Sequence, residues 1–182
     1  LNDIQPVTIN GNYYKKGDLF LSFRHLSMIV LYRPATNEIL WYKKFPWEFQ
    51  HDVDIIDLNK ISVFNNNRLA HNFDKTIKNN NLIIYDFSKD NIEYYHKDIF
   101  DKFEVRTVTM GAAEIFKNKS FLIEENNYGR LLMFDKKGEL IWEYINKSEK
   151  NKKLYRTNWS RIINLNENKF KKKLIENNNC KI

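Results

Sequence analysis

The 182-residue chain is poor in cysteine, glycine and long apolar runs, and each shortage excludes something. Its one cysteine, Cys180, has no partner, so an intramolecular disulfide and a cysteine-built zinc site are both ruled out. No stretch approaches the roughly 20 uninterrupted apolar residues that a membrane-spanning helix needs. Leu1 to Pro6 hold no basic segment followed by an apolar run, so neither anchor nor signal peptide is expected in the chain as it stands. With 30 basic against 23 acidic residues the net charge is +7, but lysine is scattered and its densest cluster is Lys169 to Lys173. That dispersal describes a solvated surface rather than a nucleic-acid footprint.

Apolar residues make up 42% of the chain and aromatics 15%, enough for one bulky core and against intrinsic disorder. The apolar residues fall in short runs bounded by Asn, Asp, Gly, Pro and Lys, with little helical periodicity, so the chain reads as all-β. Three sets share one grammar. The first is Leu19 to Arg24, Met28 to Tyr32, a turn, then Ile39 to Lys43. The second is Ile61 to Phe64, Leu82 to Phe87, a turn, then Ile92 to His96. The third is Ser120 to Glu124, Arg130 to Phe134, a turn, then Glu139 to Tyr144. Superposing them aligns Leu31, Ile84 and Met133, steps of 53 and 49 residues, and places Trp41, Tyr94 and Trp142 at nearly matching positions. This spacing is close to that of β-propeller blades, with a sandwich of similar hairpins as the alternative. Three blades and a remnant cannot close a ring, so residues 1–165 are expected to be a partial propeller, followed by a basic, Asn-rich tail at 166–182. With only 5 glycines for so many turns, asparagine is expected at several positions of positive φ, and the asparagine runs are given little functional weight.

Of the histidines His25, His51, His71 and His96, the sequence singles out His51. His71 lies in an Asn-rich loop and His96 ends an aromatic strand, where surface or packing roles suffice. His51 opens a strand after a Pro46-Trp47 loop. Extended alternation would set Phe49, His51, Val53 and Ile55 on one face, and Gln50, Asp52 and Asp54 on the other. It likewise separates Arg24 from His25, and a surface strand cation is an equal reading of Arg24.

The order of several short motifs resembles the arylsulfotransferase family. They are Leu1 to Pro6, Lys16 to Ser27 (with Ser22-Phe23-Arg24-His25), Ile39-Leu40-Trp41, Gln50-His51-Asp52, Ile61 to Asn67, Phe103 to Thr107, Tyr128-Gly129-Arg130 and Trp159-Ser160-Arg161. The resemblance runs from Leu1 to about Ile163. It implies a six-bladed propeller enzyme, exported or periplasmic. Such an enzyme moves a sulfuryl group from a phenolic sulfate ester to another phenol through a sulfohistidine, without the nucleotide sulfate donor; the residues of this chain indicate no cofactor and no metal ligands. It also implies that His51 is the nucleophile, that Arg24 binds the sulfate oxygens, and that Asn2 matches the asparagine of a His-x-Asn element whose histidine would precede residue 1.

These residue types suit the chemistry. Sulfuryl transfer, like phosphoryl transfer, asks the protein mainly to position reactants and stabilise oxygen charge. A neutral imidazole is a competent nucleophile near pH 7. Arg24 offers a fork of donors and Asn2 a neutral amide, with Arg106 a weaker candidate for a second clamp; losing such a donor typically costs about 3 to 4 kcal/mol of transition-state stabilisation. Trp47 and Phe49 could stack on a phenol, although packing explains both. No residue stands out to protonate the leaving phenolate. The competing readings are a noncatalytic propeller that binds protein or glycan, and a quinone-dependent dehydrogenase propeller, for which acidic metal ligands and a cofactor pocket are not found.

Overall fold

A computed structural model describes residues 1–68 and 78–162. They form three four-stranded antiparallel sheets, each a meander in chain order. The first is β1 (Asp3–Pro6), β2 (Leu19–Phe23), β3 (Met28–Arg33) and β4 (Glu38–Lys43); the second is β5 (Val53–Ile55), β6 (Lys60–Asn65), β7 (Asn81–Asp86) and β8 (Asn91–Tyr95). A six-residue helix, α1 (Lys97–Lys102), leads into the third: β9 (Ala112–Ile115), β10 (Phe121–Glu125), β11 (Arg130–Phe134) and β12 (Leu140–Ile145). The nine strands legible in the sequence are present. Each sheet gains a short, polar first strand, and of these the pattern had indicated only the one at His51. His71 and the tail at 166–182, with Lys169 to Lys173 and Cys180, lie outside the described residues.

The sheets pack face to face. Phe20, Ile29 and Leu31 of the first meet Val53, Ile61, Val63 and Tyr85 of the second. Phe64 and Leu82 of the second meet Phe121, Ile123, Leu132 and Phe134 of the third, with Phe100 of α1 closing the layer. The middle sheet is thus apolar on both sides, and β7 is buried along its whole length. The outer face of the third sheet is different: β12 is exposed throughout and presents Trp142, Tyr144 and Ile145 to solvent.

The repeat extends to the turns. The turn before β4, β8 and β12 holds a left-handed residue each time: Asn37 and Asp90 directly before the strand, and Gly138 two positions before it. After β2 and β10 the chain makes a short 3₁₀ turn, Arg24–Leu26 and Asn126–Tyr128, ending in left-handed Ser27 and Gly129. Two expectations need correction. Trp41 pairs with Leu31 and Trp142 with Met133, but Ile84 pairs with Glu93, and Tyr94 pairs with Ile83 on the opposite face. Register irregularities at Leu31/Tyr32 and Met133/Phe134 shift the two tryptophans by one residue, whereas β8 pairs with β7 without a break. Nor does asparagine dominate the positive-φ positions among the described residues: Asn37 and Asn67 are joined there by Ser27, Phe49, Asp90, His96, Glu104, Met110, Lys119, Lys152 and Trp159. The asparagines act through their side chains instead. Buried Asn66 donates to the carbonyls of Thr107 and Met110, and buried Asn80 to those of Asn66 and Thr107.

Candidate functional site

The segments that lead into the first strands converge on a small cavity of about 30 Å³. Its wall takes Asp3 from β1, His51 and Asp52 from the lead into β5, Met110 and Gly111 from the lead into β9, and Ala112 from the start of β9. Asn126 follows β10, and Asn158, Trp159 and Arg161 follow β12. A second cavity of about 200 Å³ shares Asp52, Ala112 and Arg161 and adds Gln5, Asp54, Glu114, Leu122, Glu124 and Ser160.

The backbone around His51 is pinned from several directions. Its N–H donates to the Phe64 carbonyl at 2.9 Å, and the Phe64 N–H donates to the Asp52 carbonyl at 2.8 Å, so the ladder of β5 and β6 runs on past Val53. Just before it, Glu48 N–H donates to Asn65 Oδ1 and Phe49 N–H to Ser27 Oγ. Buried Gln50 reaches Ser22 Oγ and the Met28 carbonyl. Phe49 has a φ of 53°, so the extended alternation expected from Phe49 onward starts only after it. Trp47 and Phe49 are buried packing residues, and the Trp47 indole donates to the Lys43 carbonyl.

Asn2 ties two parts of the site together. Its amide nitrogen donates to the carbonyls of Gln50 (3.1 Å) and His51 (3.4 Å), while its oxygen accepts the Arg24 N–H at 3.1 Å. Every arm of this amide is therefore engaged with the backbone that carries His51 and Arg24. The Arg24 guanidinium lies 4.9 Å over the Phe49 ring and reaches the Val108 carbonyl at 3.4 Å, and its Nε is buried without a partner. Burial and the nearby charge of Arg68 lower its pKa. Arg106 points elsewhere. Its Nε donates to Asn79 Oδ1 and its Nη2 to Glu104, in clefts that His51 does not line.

The electrostatics divide in two. Burial first, then the Arg24 charge, pushes His51 down to about 4, so the imidazole is neutral at pH 7 with a lone pair available. The carboxyls beside it move the other way. Burial, then the neighbouring Asp54 and Asp3, drives Asp52 well above the usual carboxylate range. Burial, Glu114 and Asp3 bring Asp54 to about 6, and burial raises Asp3 against the Val53 N–H bonded to it. Arg161 opposes all three shifts; its guanidinium stacks 4.9 Å over Trp159 and donates to the Ser160 carbonyl. The other histidines are separate: His25 is exposed beside Arg24, and His96 stacks on Phe121.

Candidate selection from the sequence passed over Asp3, Asn126, Trp159 and Arg161. The last two belong to a motif of the resemblance, and their position on the wall could have been inferred only from the repeat. Strand pairing shows that Arg24, Asn66 and Asn126 occupy one position, directly after the second strand of each sheet. Asn66 uses it to hold the lead into β9, and Asn126 to hold the segment after β12 together with the lead into its own sheet. Asn126 donates to the Thr157 carbonyl and accepts the Gly111 N–H. Arginine stands there only in the first sheet, next to His51.

No curated protein matches the chain. The family model described as Arylsulfotransferase (ASST) matches residues 1–147, which include all twelve strands. The chain belongs to the arylsulfotransferase family.

Proposed function

We propose that this chain transfers a sulfuryl group between phenols with His51 as the covalent carrier, and that its three sheets are blades of a six-bladed propeller. In the first half-reaction an imidazole nitrogen attacks the sulfur of an aryl sulfate, the S–O(aryl) bond breaks, and a phenolate leaves. In the second, an acceptor phenol oxygen attacks the sulfohistidine, the N–S bond breaks, and the acceptor loses its proton. The observation that carries this reading is the neutral His51 imidazole, kept so by burial and by the Arg24 charge, on the wall of a cavity where the leads into all three sheets meet. A cation that lowers a neighbour's basicity stabilises an anion bound to that neighbour, and the Arg68 charge near Arg24 makes a sulfuryl oxygen there still more favourable. Arg161 faces the same cavity and is the second cation in this reading, a place Arg106 does not reach. Trp159, 63% exposed at the cavity wall, offers a face for the phenol ring. Asn2 acts by holding the backbones of Arg24 and His51 in register. The apolar outer face at β12 supports the packing of a further sheet there.

Incubating the chain with 4-nitrophenyl sulfate, without acceptor, should release nitrophenolate once per chain. It should also add one SO₃ unit to the peptide containing His51, detected by mass spectrometry at alkaline pH. Adding phenol should discharge it. His51→Ala should lose both the label and turnover, and a variant that still transfers would remove His51 from this role.

A further inference from the structure

Sulfuryl transfer from an unactivated phenol needs a proton delivered to the leaving oxygen, because a phenol titrates near ~10 and its anion is a poor leaving group at pH 7. Among the described residues His51 is the only histidine on the cavity wall, and as nucleophile it cannot also be the proton donor. We propose that Asp52 is the general acid and base of the transfer, its carboxyl giving a proton to the leaving phenolate and taking one back from the acceptor phenol. This inference rests on the sulfuryl-transfer reading of His51.

The geometry supports the role from both sides of the carboxyl. Asp52 lines the same cavity as His51 and is its neighbour in the chain, held by the same continuation of the β5 and β6 ladder. One oxygen, Oδ2, accepts the Ala113 N–H at 3.1 Å, which orients the group and leaves Oδ1 for the proton. Acidic groups surround it: Asp3 of β1, Asp54 of its own strand, Glu114 of β9 and Glu124 of β10 line the same two cavities, with Arg161 as the cation among them. Carboxyls gathered this closely cannot all ionise, and Asp52 is held well above the ordinary range, the direction required of a proton donor near neutrality. The proton count closes over the cycle. The carboxyl becomes a carboxylate when the first phenol leaves, and the acceptor's proton restores it when the N–S bond breaks.

The test compares two donors that differ in how much they need the acid, phenyl sulfate and 4-nitrophenyl sulfate, each with wild type and Asp52→Asn. Asp52→Asn should lower kcat/KM for phenyl sulfate by about 100-fold or more, the usual worth of a general acid, and for the nitrophenyl ester by less than tenfold. Equal losses on both donors overturn the proposal, since a merely structural role would not sort substrates by leaving group. If the variant does not fold, wild type alone decides. Its kcat/KM for phenyl sulfate should fall on the alkaline side while that for the nitrophenyl ester stays flat, and parallel profiles overturn the proposal. Nitrophenyl turnover that depends on His51 while both Asp52 tests come out flat sinks this inference alone. Absence of any turnover by wild type sinks the carrier reading and this inference together.

Discussion

Arg24 stands where the repeat otherwise places asparagine, and the exchange changes what that position does. Asn66 and Asn126 give their side chains to the backbone of the next segment. The Arg24 guanidinium instead lies over the Phe49 ring, where its charge lowers the His51 pKa, and Asn2 takes over the backbone bonds. Arg24→Asn, which restores the residue of the other two sheets, should therefore fold. Two effects should follow from removing the charge. The His51 pKa should rise above about 4 yet stay below 6.5, because burial, the larger cause, is untouched; an NMR titration of the ring measures this. Turnover of an aryl sulfate should fall by two to three orders of magnitude, the rate equivalent of about 3 to 4 kcal/mol for one anion donor. An unmoved pKa would mean that Arg24 does not act on the ring.

At the scale of elements, the glycine in the lead to β9 shows how tightly the sheets close on the cavity. Gly111 has a φ of 102°, its N–H donates to Asn126 Oδ1, and a Cβ there would lie 2.3 Å from the Phe64 ring and 2.5 Å from the Thr107 methyl. Gly17 has nearly the same φ, 99°, with nothing within 4 Å of an added Cβ. Gly17→Ala should cost about 1 kcal/mol, from backbone strain alone, and Gly111→Ala about 2 to 4 kcal/mol, because overpacking adds to the strain. Urea unfolding compares them, and equal costs would show that Phe64 yields freely. The same closeness explains what could be read in advance. Strands β2, β3, β6, β7, β10 and β11 carry alternating or continuous apolar residues because they build the layers between sheets, and the more exposed β4, β8 and β12 still carry runs of apolar and aromatic residues, so their positions were legible. Strands β1 and β9 are four residues each, with Asp3, Gln5 and Glu114 among them, too short and too polar to show a period. His51 and Arg24 could be singled out only through the motifs around them. Arg161 and Asp3 join the cavity through contacts across some 50 to 150 residues of chain, which no local pattern reports, and the opposite direction of Arg106 depends on Asn79 and Glu104, which its own motif does not foretell.

Over the whole molecule the chain is basic, at +7, yet the cavities where the sheets meet are lined by Asp3, Asp52, Asp54, Glu114 and Glu124 with Arg161. Stability is given up to keep these carboxyls and a neutral histidine enclosed, and pH separates the two. For His51 the folded pKa, about 4, lies below the free value of 6.5, so the unfolded chain binds more protons between them and stability falls as pH drops through that window. For Asp54 the folded value, about 6, lies above the free value of 3.8. The folded chain there binds the extra proton, and stability falls as pH rises from about 4 to 6. Above pH 6 the half-buried Asp54 carboxylate is a standing cost. Asp54→Asn keeps the shape and removes the charge, so it should be more stable than wild type by about 3 kcal/mol at pH 7 to 8, the free-energy equivalent of the shift from 3.8 to about 6. That advantage should shrink through pH 6 and vanish near pH 4, where the wild-type carboxyl is already protonated. Paired urea titrations at pH 4, 6 and 8 measure it. A gain that stays constant with pH would assign the effect to packing and leave the charge at the centre of the sheets without an energetic cost.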